Sequence, residues 1–280
     1  MSARLLDGRA QAAAILAEAR KAAKRRGRAP RLAIVAAAGG SADSYLKAKL
    51  KACAAAGVEV SVHRLSPGPR AKTLGLLADL AGEAAVDALI VETPYPRGLT
   101  AQDVAAAIPA AKDAEGVTAA SYGAFFLAKS WDEAARLTGP CTAVALAHLA
   151  RAAKVPLAGK RAVVIGRSAT VGRPAAHLLS TLDLTVTLAH SRTKNLAALC
   201  READVLVAAA GIPALVKPSW IKRGALVLDA GIHLVRGKLV GDVARGAENR
   251  AGAITPVPGG VGPVTTAVAV LQAARLASRR

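Results

Sequence analysis

Along the first half of the chain, short apolar runs alternate with longer stretches of helical period. Residues 8–27 repeat alanine and leucine at helical spacing and stop at Gly27, which predicts a helix. Residues 31–38 form an unbroken apolar run, the pattern of a strand buried on both faces. A helix over 41–57 ends at Gly57, and 58–65 alternates as a strand. The loop Ser66-Pro67-Gly68-Pro69-Arg70 leads into a helix over 71–83 and a strand over 86–92. Strand and helix in turn, with short glycine and proline joints, predict a parallel sheet covered by helices.

Pro94-Tyr95-Pro96 stops that rhythm. Thr100 can cap a short helix to Ile108, and Pro109 opens a loop bearing Lys112, Asp113 and Glu115. Gly139-Pro140-Cys141-Thr142 introduces a helix to about Lys154, read as the crossing into a second domain. Strand 161–165, helix 171–182, strand 185–189, helix 195–202 and strands 204–208 and 225–229 follow. A Pro/Gly stretch then precedes a helix over 264–280 whose apolar stripe (Val268, Leu271, Leu276) needs cover, most simply from the first domain.

The run Val163 to Leu179 carries the clearest chemistry. An apolar strand breaks at Gly166, a glycine-bounded turn follows, and a helical pattern begins near Val171. A strand feeding a tight glycine turn that opens a helix binds pyrophosphate through backbone N–H groups and the positive helix end. The spacing is G-x-S-x-x-x-G (Gly166, Ser168, Gly172). About twenty residues on, the strand 185–189 ends at His190-Ser191-Arg192-Thr193-Lys194. An NAD site puts an acid there for the ribose hydroxyls. A hydroxyl, a guanidinium and an ammonium suit a 2′-phosphate instead, so the segment reads as NADP-binding. A solvated basic loop would leave the same pattern.

The chain has 280 residues, 53% of them hydrophobic and 2% aromatic, so alanine, valine and leucine must build a two-domain core. Cys53, Cys141 and Cys200 stand far apart, which supports neither a disulfide framework nor a zinc site. No apolar run reaches the length of a membrane span and MSARLLDGRA lacks a signal-peptide core, so a cytoplasmic protein with no membrane role is expected. Lys and Arg number 38 against 19 Asp and Glu, a formal charge of +19. The densest basic run, Lys21 to Arg31, has no interleaved aromatics, and no helix-turn-helix or zinc-finger spacing occurs. Those features argue against specific nucleic-acid binding and fit the steering of anionic small molecules.

Four separated segments together carry a resemblance: SYLKAKLKACAAAGV (44–58), IPAAKDAEG (108–116), AVVIGRSATVGRP (162–174) and ITPVPGGVGPVTTA (254–267). ADVLVAAAGIP and GALVLDAGI add to it. In these, nearly the whole chain resembles the bifunctional methylenetetrahydrofolate dehydrogenase/methenyltetrahydrofolate cyclohydrolase family of the bacterial FolD type. The resemblance implies an α/β fold of two α/β domains around a cleft. Residues 1–142 would form the catalytic, folate-binding domain, with the helix 264–280 packed back on it. Residues 143–263 would form a Rossmann-type NADP-binding domain. It also implies a homodimer, a folate-type substrate, and oxidation of 5,10-methylenetetrahydrofolate followed by hydrolysis to 10-formyltetrahydrofolate. By the same resemblance Lys49, helped by Tyr45, serves the hydrolysis. Asp113 and Glu115, with Pro258, Gly259 and Gly260, lie at the substrate. Gly166, Arg167, Ser168, Ser191, Arg192 and Ile232 hold NADP. Without the resemblance, Lys49 reads rather as one of three lysines (Lys47, Lys49, Lys51) on a solvated face.

The substrate segments depart from the family pattern. Val-Gln-Leu-Pro-Leu-Pro is here Val91-Glu92-Thr93-Pro94-Tyr95-Pro96, the acid of Lys-Asp-x-Asp-Gly is Glu115, and Asn-x-Gly is Ser121-Tyr122-Gly123. A carboxylate at Glu92 beside Lys49 favours the ammonium form and weakens the lysine as a base, while stabilising a cationic methenyl group. Dehydrogenation is expected to persist and hydrolysis to be weak, unless Glu92 itself acts as the base. Another pterin carrier, or a non-catalytic NADP-binding relative, stays open from the sequence.

Overall fold

The computed structural model describes residues 2–38, 42–96 and 98–279, with the side chains of Arg26 and of residues 42–45 outside the description. In chain order come β1 (Arg4–Leu5), α1 (Gly8–Ala23), β2 (Arg31–Ala37), α2 (Ala42–Ala56), β3 (Glu59–Leu65), α3 (Arg70–Gly82) and β4 (Ala88–Val91). Next are α4 (Ala101–Ala107), α5 (Ala119–Leu127), α6 (Trp131–Ala134), α7 (Cys141–Ala152), β5 (Arg161–Ile165), α8 (Gly172–Ser180) and β6 (Thr185–Ala189). Then follow α9 (Leu196–Glu202), β7 (Val205–Ala208), β8 (Leu226–Asp229), β9 (His233–Val235), β10 (Lys238–Val240), β11 (Ala253–Ile254) and α10 (Val261–Ser278).

Two compact units share the chain. One comprises residues 13–127, 137–139 and 266–280; the other comprises 1–12, 128–136 and 140–265. The N-terminal residues, expected with the first domain, fold with the second unit because β1 pairs in parallel with β11.

The first unit holds a three-stranded parallel sheet in the order β3-β2-β4. β2 lies in the middle with Leu32 to Ala36 buried, as an apolar run without alternation requires. Buried Asp87 accepts both Arg28 guanidinium nitrogens, at 2.9 and 3.0 Å, and the Arg31 N–H at 2.9 Å, clamping the starts of β2 and β4. Basic residues at helix ends here answer unpaired carbonyls. Arg20 donates to the Ala55 carbonyl at 3.0 Å near the end of α2. Buried Lys112 donates to the Leu80 and Glu83 carbonyls, at 3.0 and 2.7 Å, at the end of α3. Thr100 and Asp103 form the capping box of α4, where the sequence places a helix start.

The second unit holds a six-stranded parallel sheet, β1-β11-β8-β7-β5-β6. β5, β7 and β8 are apolar and buried almost throughout, while the edge strand β6 is largely open. The chain leaves β5 for β6 on one side and returns to β7 on the other. Such a reversal opens a crevice beyond the carboxyl ends of the two inner strands.

The structure adds α5, α6, β1, β11 and the antiparallel β9–β10 hairpin to the sequence reading. A two-residue strand has no period to detect, and Gly123 interrupts the helical pattern of α5. Among the described residues, Phe125 of α5 is the one aromatic among the largest fully buried side chains. It fills the space beside Gly139, where a Cβ would lie 2.3 Å from its ring. Buried Gln272 of α10 closes this corner. Its Oε1 accepts the Gly139 N–H at 2.7 Å, and its Nε2 donates to the Ala114 and Gly139 carbonyls at 2.8 and 3.1 Å.

Gln272→Leu keeps the bulk but removes those three hydrogen bonds. The expected loss is about 2–3 kcal/mol of stability, read as an earlier thermal unfolding transition, with Gln272→Glu intermediate. Unchanged melting of Gln272→Leu would show that water satisfies these groups.

Candidate functional site

Lys47, Lys49 and Lys51 do not share a helix face. At 3.6 residues per turn, Lys49 falls in line with Leu46, Cys53 and Ala56, and all four are buried. Lys47 and Lys51 sit on the opposite, exposed side. The solvated-lysine reading is thereby corrected for Lys49, a cation inside an apolar stripe. Tyr45 lies one turn earlier on α2, with its side chain outside the described part.

A buried ammonium must be paired. Lys49 Nζ forms an ion pair and hydrogen bond with Glu92, and lies 3.8 Å from Glu115 Oε1. Each acid is delivered by backbone. Glu92 follows β4 and its N–H bonds the Val35 carbonyl at 2.8 Å, so the strand register aims it. Glu115 sits in a turn set against Leu89 of β4 through the Leu89–Asp113 bridge. Asp113, fully buried, accepts the N–H groups of Glu115, Val117 and Thr118 at 3.2, 3.2 and 2.9 Å. Its oxygens therefore serve the turn that holds Glu115.

Burial pushes the Glu115 carboxyl up to about 7. Lys49 pulls it down, and Glu92 and Asp113 push it further up. Its side chain keeps 26% of its surface open, so the group can meet both solvent and a ligand. Tyr95, half-buried in the turn after the cis Thr93–Pro94 bond, is raised first by its own burial and then by Glu115. Burial also lifts the Cys53 thiol to about 11 against the pull of Lys49. Lys49, Glu92 and Glu115 form one cluster with a single cation and two acids.

In the second unit, β5 ends at Gly166, whose φ of +119° places it where a side chain is strained. A Cβ there would lie 2.0 Å from the Ala209 carbonyl oxygen. A Cβ at Gly172 would lie 1.9 Å from the Gly166 oxygen. Glycine at both positions thus lets the loop fold flat across the ends of β5 and β7 and start α8. Ser168 Oγ accepts the Val171 and Gly172 N–H groups at 3.1 and 3.3 Å at the start of α8. Arg167 and Ser168 are exposed in this loop. Such a loop, a glycine cradle, could take a phosphate group on its backbone N–H groups.

Beyond β6, the His190–Lys194 turn is closed from within. Thr193 Oγ1 accepts the His190 N–H at 2.9 Å, and His190 Nδ1 accepts the Arg192 N–H at 3.2 Å. Ser191 and Arg192 are left exposed. Ile232 projects from the loop after β8 with 47% of its surface open. Pro258, Gly259 and Gly260 form a turn with a cis Val257–Pro258 bond, pinned by Gly8 N–H to the Gly259 carbonyl at 2.9 Å. A Cβ at Gly8 would lie 1.8 Å from the Gly260 oxygen, so this pairing too depends on glycine. Among the described residues, no group of three or more His, Cys, Asp and Glu could hold a metal ion.

Sequence reading passed over two groups. Tyr95 carries no role in the sequence beyond its place in the Val91–Pro96 segment, although it lies near enough to Glu115 to feel its charge. Asp242, fully buried near β10, lies in no recognised motif; its one signal is Gly241 directly before it.

A family model described as the tetrahydrofolate dehydrogenase/cyclohydrolase catalytic domain matches residues 6–115, and one described as its NAD(P)-binding domain matches residues 140–280. The chain is 44% identical over 280 residues to a bifunctional protein FolD of Parafrankia sp. (strain EAN1pec), covering 98% of this chain and 99% of that one. The crystal structure of the bifunctional FolD enzyme from Campylobacter jejuni is similar at a TM-score of 0.89 and 33% identity, each chain covered in full at 100%. That of the Trypanosoma brucei FolD enzyme, complexed with NADP cofactor and inhibitor, is similar at 0.90 and 34%, covering 100% of this chain and 98% of that one. The lysine cluster and the glycine cradle thus lie within segments matched in family order, and the chain belongs to the tetrahydrofolate dehydrogenase/cyclohydrolase family.

Proposed function

We propose that this chain oxidises 5,10-methylenetetrahydrofolate to 5,10-methenyltetrahydrofolate with NADP, and hydrolyses the product only weakly. The contact between Lys49 and Glu92 carries the second half of that reading. The first half draws on the glycine cradle and on the relatives, among them the trypanosomal enzyme complexed with NADP.

The residues present fit NADP. Gly166 and Gly172 clear the space that a pyrophosphate needs, and Arg167 and Ser168 are exposed beside it. Ser191 and Arg192 would take the 2′-phosphate, and Ile232 offers an apolar face to a flat ring. When bound, NADP supplies the hydride acceptor.

Oxidation removes a hydride, one hydrogen with two electrons, from the methylene carbon between the two folate nitrogens and leaves a cation shared across them. A net negative pocket favours that cation. Lys49, Glu92 and Glu115 sum to one negative charge when all are ionised. Hydrolysis adds water to the same carbon, releases one proton and opens one carbon–nitrogen bond. A lysine held by a carboxylate keeps its proton and cannot accept the one released. Glu115, directed by Asp113, would grip the N–H edge of the pterin, and Pro258, Gly259 and Gly260 would line the substrate. Asp113 acts on the turn rather than on the substrate.

Glu92→Gln removes the carboxylate and keeps the shape. The expected result is a rise of about tenfold or more in methenyltetrahydrofolate hydrolysis, with NADP reduction falling several-fold. The two steps are assayed separately. Fast hydrolysis by the wild type that does not change in Glu92→Gln would refute the assignment.

Glu115 supplies a pH dependence. A carboxyl raised by folding binds more protons in the folded than in the unfolded state between its ordinary value of 4.5 and about 7. Its contribution to stability is therefore fully present at low pH and lost as the pH rises through about 7. Substrate binding runs the other way, because the ionised form accepts the pterin N–H groups. The folate KM should fall as the pH rises from about 6 to about 8, and both trends should vanish in Glu115→Gln. A KM that ignores pH in the wild type would remove Glu115 from the substrate.

The reading also takes the chain to be a cytoplasmic homodimer, as the family resemblance implies. Exposed Leu234, Val235 and Leu239 on the β9–β10 hairpin supply apolar surface for a second copy. Light scattering should give twice the chain mass at micromolar concentration, and a monomer there would count against it.

A further inference from the structure

Two buried acids brace the loops at the carboxyl ends of β7 and β8. Asp242 is fully buried, and its Oδ2 accepts the Ala210 and Gly211 N–H groups at 2.6 and 2.9 Å. Its Oδ1 lies 2.7 Å from His233 Nε2. A carboxylate only accepts, so that ring nitrogen carries the hydrogen and donates it. Asp229, also buried, accepts the N–H groups of Gly231, Asp242 and Val243, each at 2.9 Å. Each carboxylate thus reaches into the segment that carries the other. The fit is tight enough to demand glycine on both sides. A Cβ at Gly231 would lie 2.3 Å from Asp242 Oδ1, and one at Gly241 would lie 1.9 Å from Asp229 Oδ2.

What Asp242 ties together matters. Ala210 and Gly211 continue from Ala209, whose carbonyl oxygen is the atom packed against Gly166. His233 follows Ile232, the exposed residue of the loop after β8. One carboxylate therefore ties the loop packed against Gly166 to the loop after β8. Its two oxygens divide the task, one on the backbone of the first loop and one on the side chain of the second.

We propose that Asp242, acting through Ala210 and Gly211 on one side and His233 on the other, is a positioning residue for NADP. The proposal rests on the reading that the dinucleotide lies beside Gly166. With the brace intact, both loops are ordered before the cofactor arrives. Without it, their ordering is charged against cofactor binding.

Calorimetric titration of NADP, with a folate analogue as a control ligand, tests this on the full chain. His233→Ala should weaken the NADP Kd by about fivefold to tenfold and leave the folate-analogue Kd within about twofold. His233→Gln, which can place an amide N–H near the position of Nε2, should restore most of the loss. Amide hydrogen exchange at Ala210 and Gly211 should quicken in His233→Ala and Asp242→Asn and return toward the wild-type rate in His233→Gln. The proposal is overturned if folded His233→Ala binds NADP as the wild type does. It is equally overturned if the Kd values for NADP and the folate analogue weaken together, or if His233→Gln fails to rescue. A wild type that does not bind NADP would instead sink the cofactor reading itself, and this proposal with it.

Discussion

A buried carboxylate accepting two or three backbone N–H groups is the constraint on which the loops of each unit rest. Parallel strands end in loops whose N–H groups leave the sheet, and buried N–H groups must find partners. Large side chains cannot hold those loops in a chain with 2% aromatic residues. Asp113 does it in the turn carrying Glu115, and Asp229 and Asp242 in the loops after β7 and β8, while Asp87 joins one backbone N–H to the Arg28 guanidinium at the starts of β2 and β4. Charge assistance strengthens such bonds, which suits them to turns that must not move.

The same constraint explains what could be read from the sequence. The inner strands β2, β5, β7 and β8 are legible because a strand buried on both faces leaves an unbroken apolar run. The glycine loop at Gly166 is legible because its spacing sits between a strand and a helix. The short partners β1 and β11 are not, since two residues carry no period and only their pairing across the sheet makes them strands. Asp113 and Asp242 were hard to place for a related reason: the groups they bind are backbone, and backbone leaves no mark in a sequence.

Lys49 was legible in principle. Its neighbours Lys47 and Lys51 draw attention to a basic run, yet two residues along a helix turn the side chain by about 200°. The informative pattern was vertical, a lysine in register with Leu46, Cys53 and Ala56. A cation in an apolar stripe calls for a partner, and that partner comes from the end of β4. Part of the basic run at Lys21–Arg31 also has a local use, since Arg28 is held by buried Asp87 and Arg31 pairs with Glu59, and Arg20 just before it answers a carbonyl near the end of α2. The positive charge of the chain is thus partly a response to its own helix ends and buried acids.

The exchange of an amide for Glu92 changes the arithmetic of the lysine pocket. Two unit charges about 4 Å apart attract by about 4 kcal/mol at the effective dielectric of a protein site. That exceeds the net worth of an ordinary hydrogen bond, about 1 kcal/mol. A neutral amide in that place would orient the ammonium without binding its proton so firmly. With Glu92 the ammonium and one carboxylate cancel, and the charge of the pocket is left to Glu115, which ionises near 7. Loss of the Glu115 proton therefore makes the pocket more negative. A cation formed within it is stabilised by the ionised state, and so is the ammonium that would have to give up its proton for hydrolysis. The two reactions place opposite demands on one electrostatic field, and in the proposed function Glu92 and Glu115 would set that field for the oxidation.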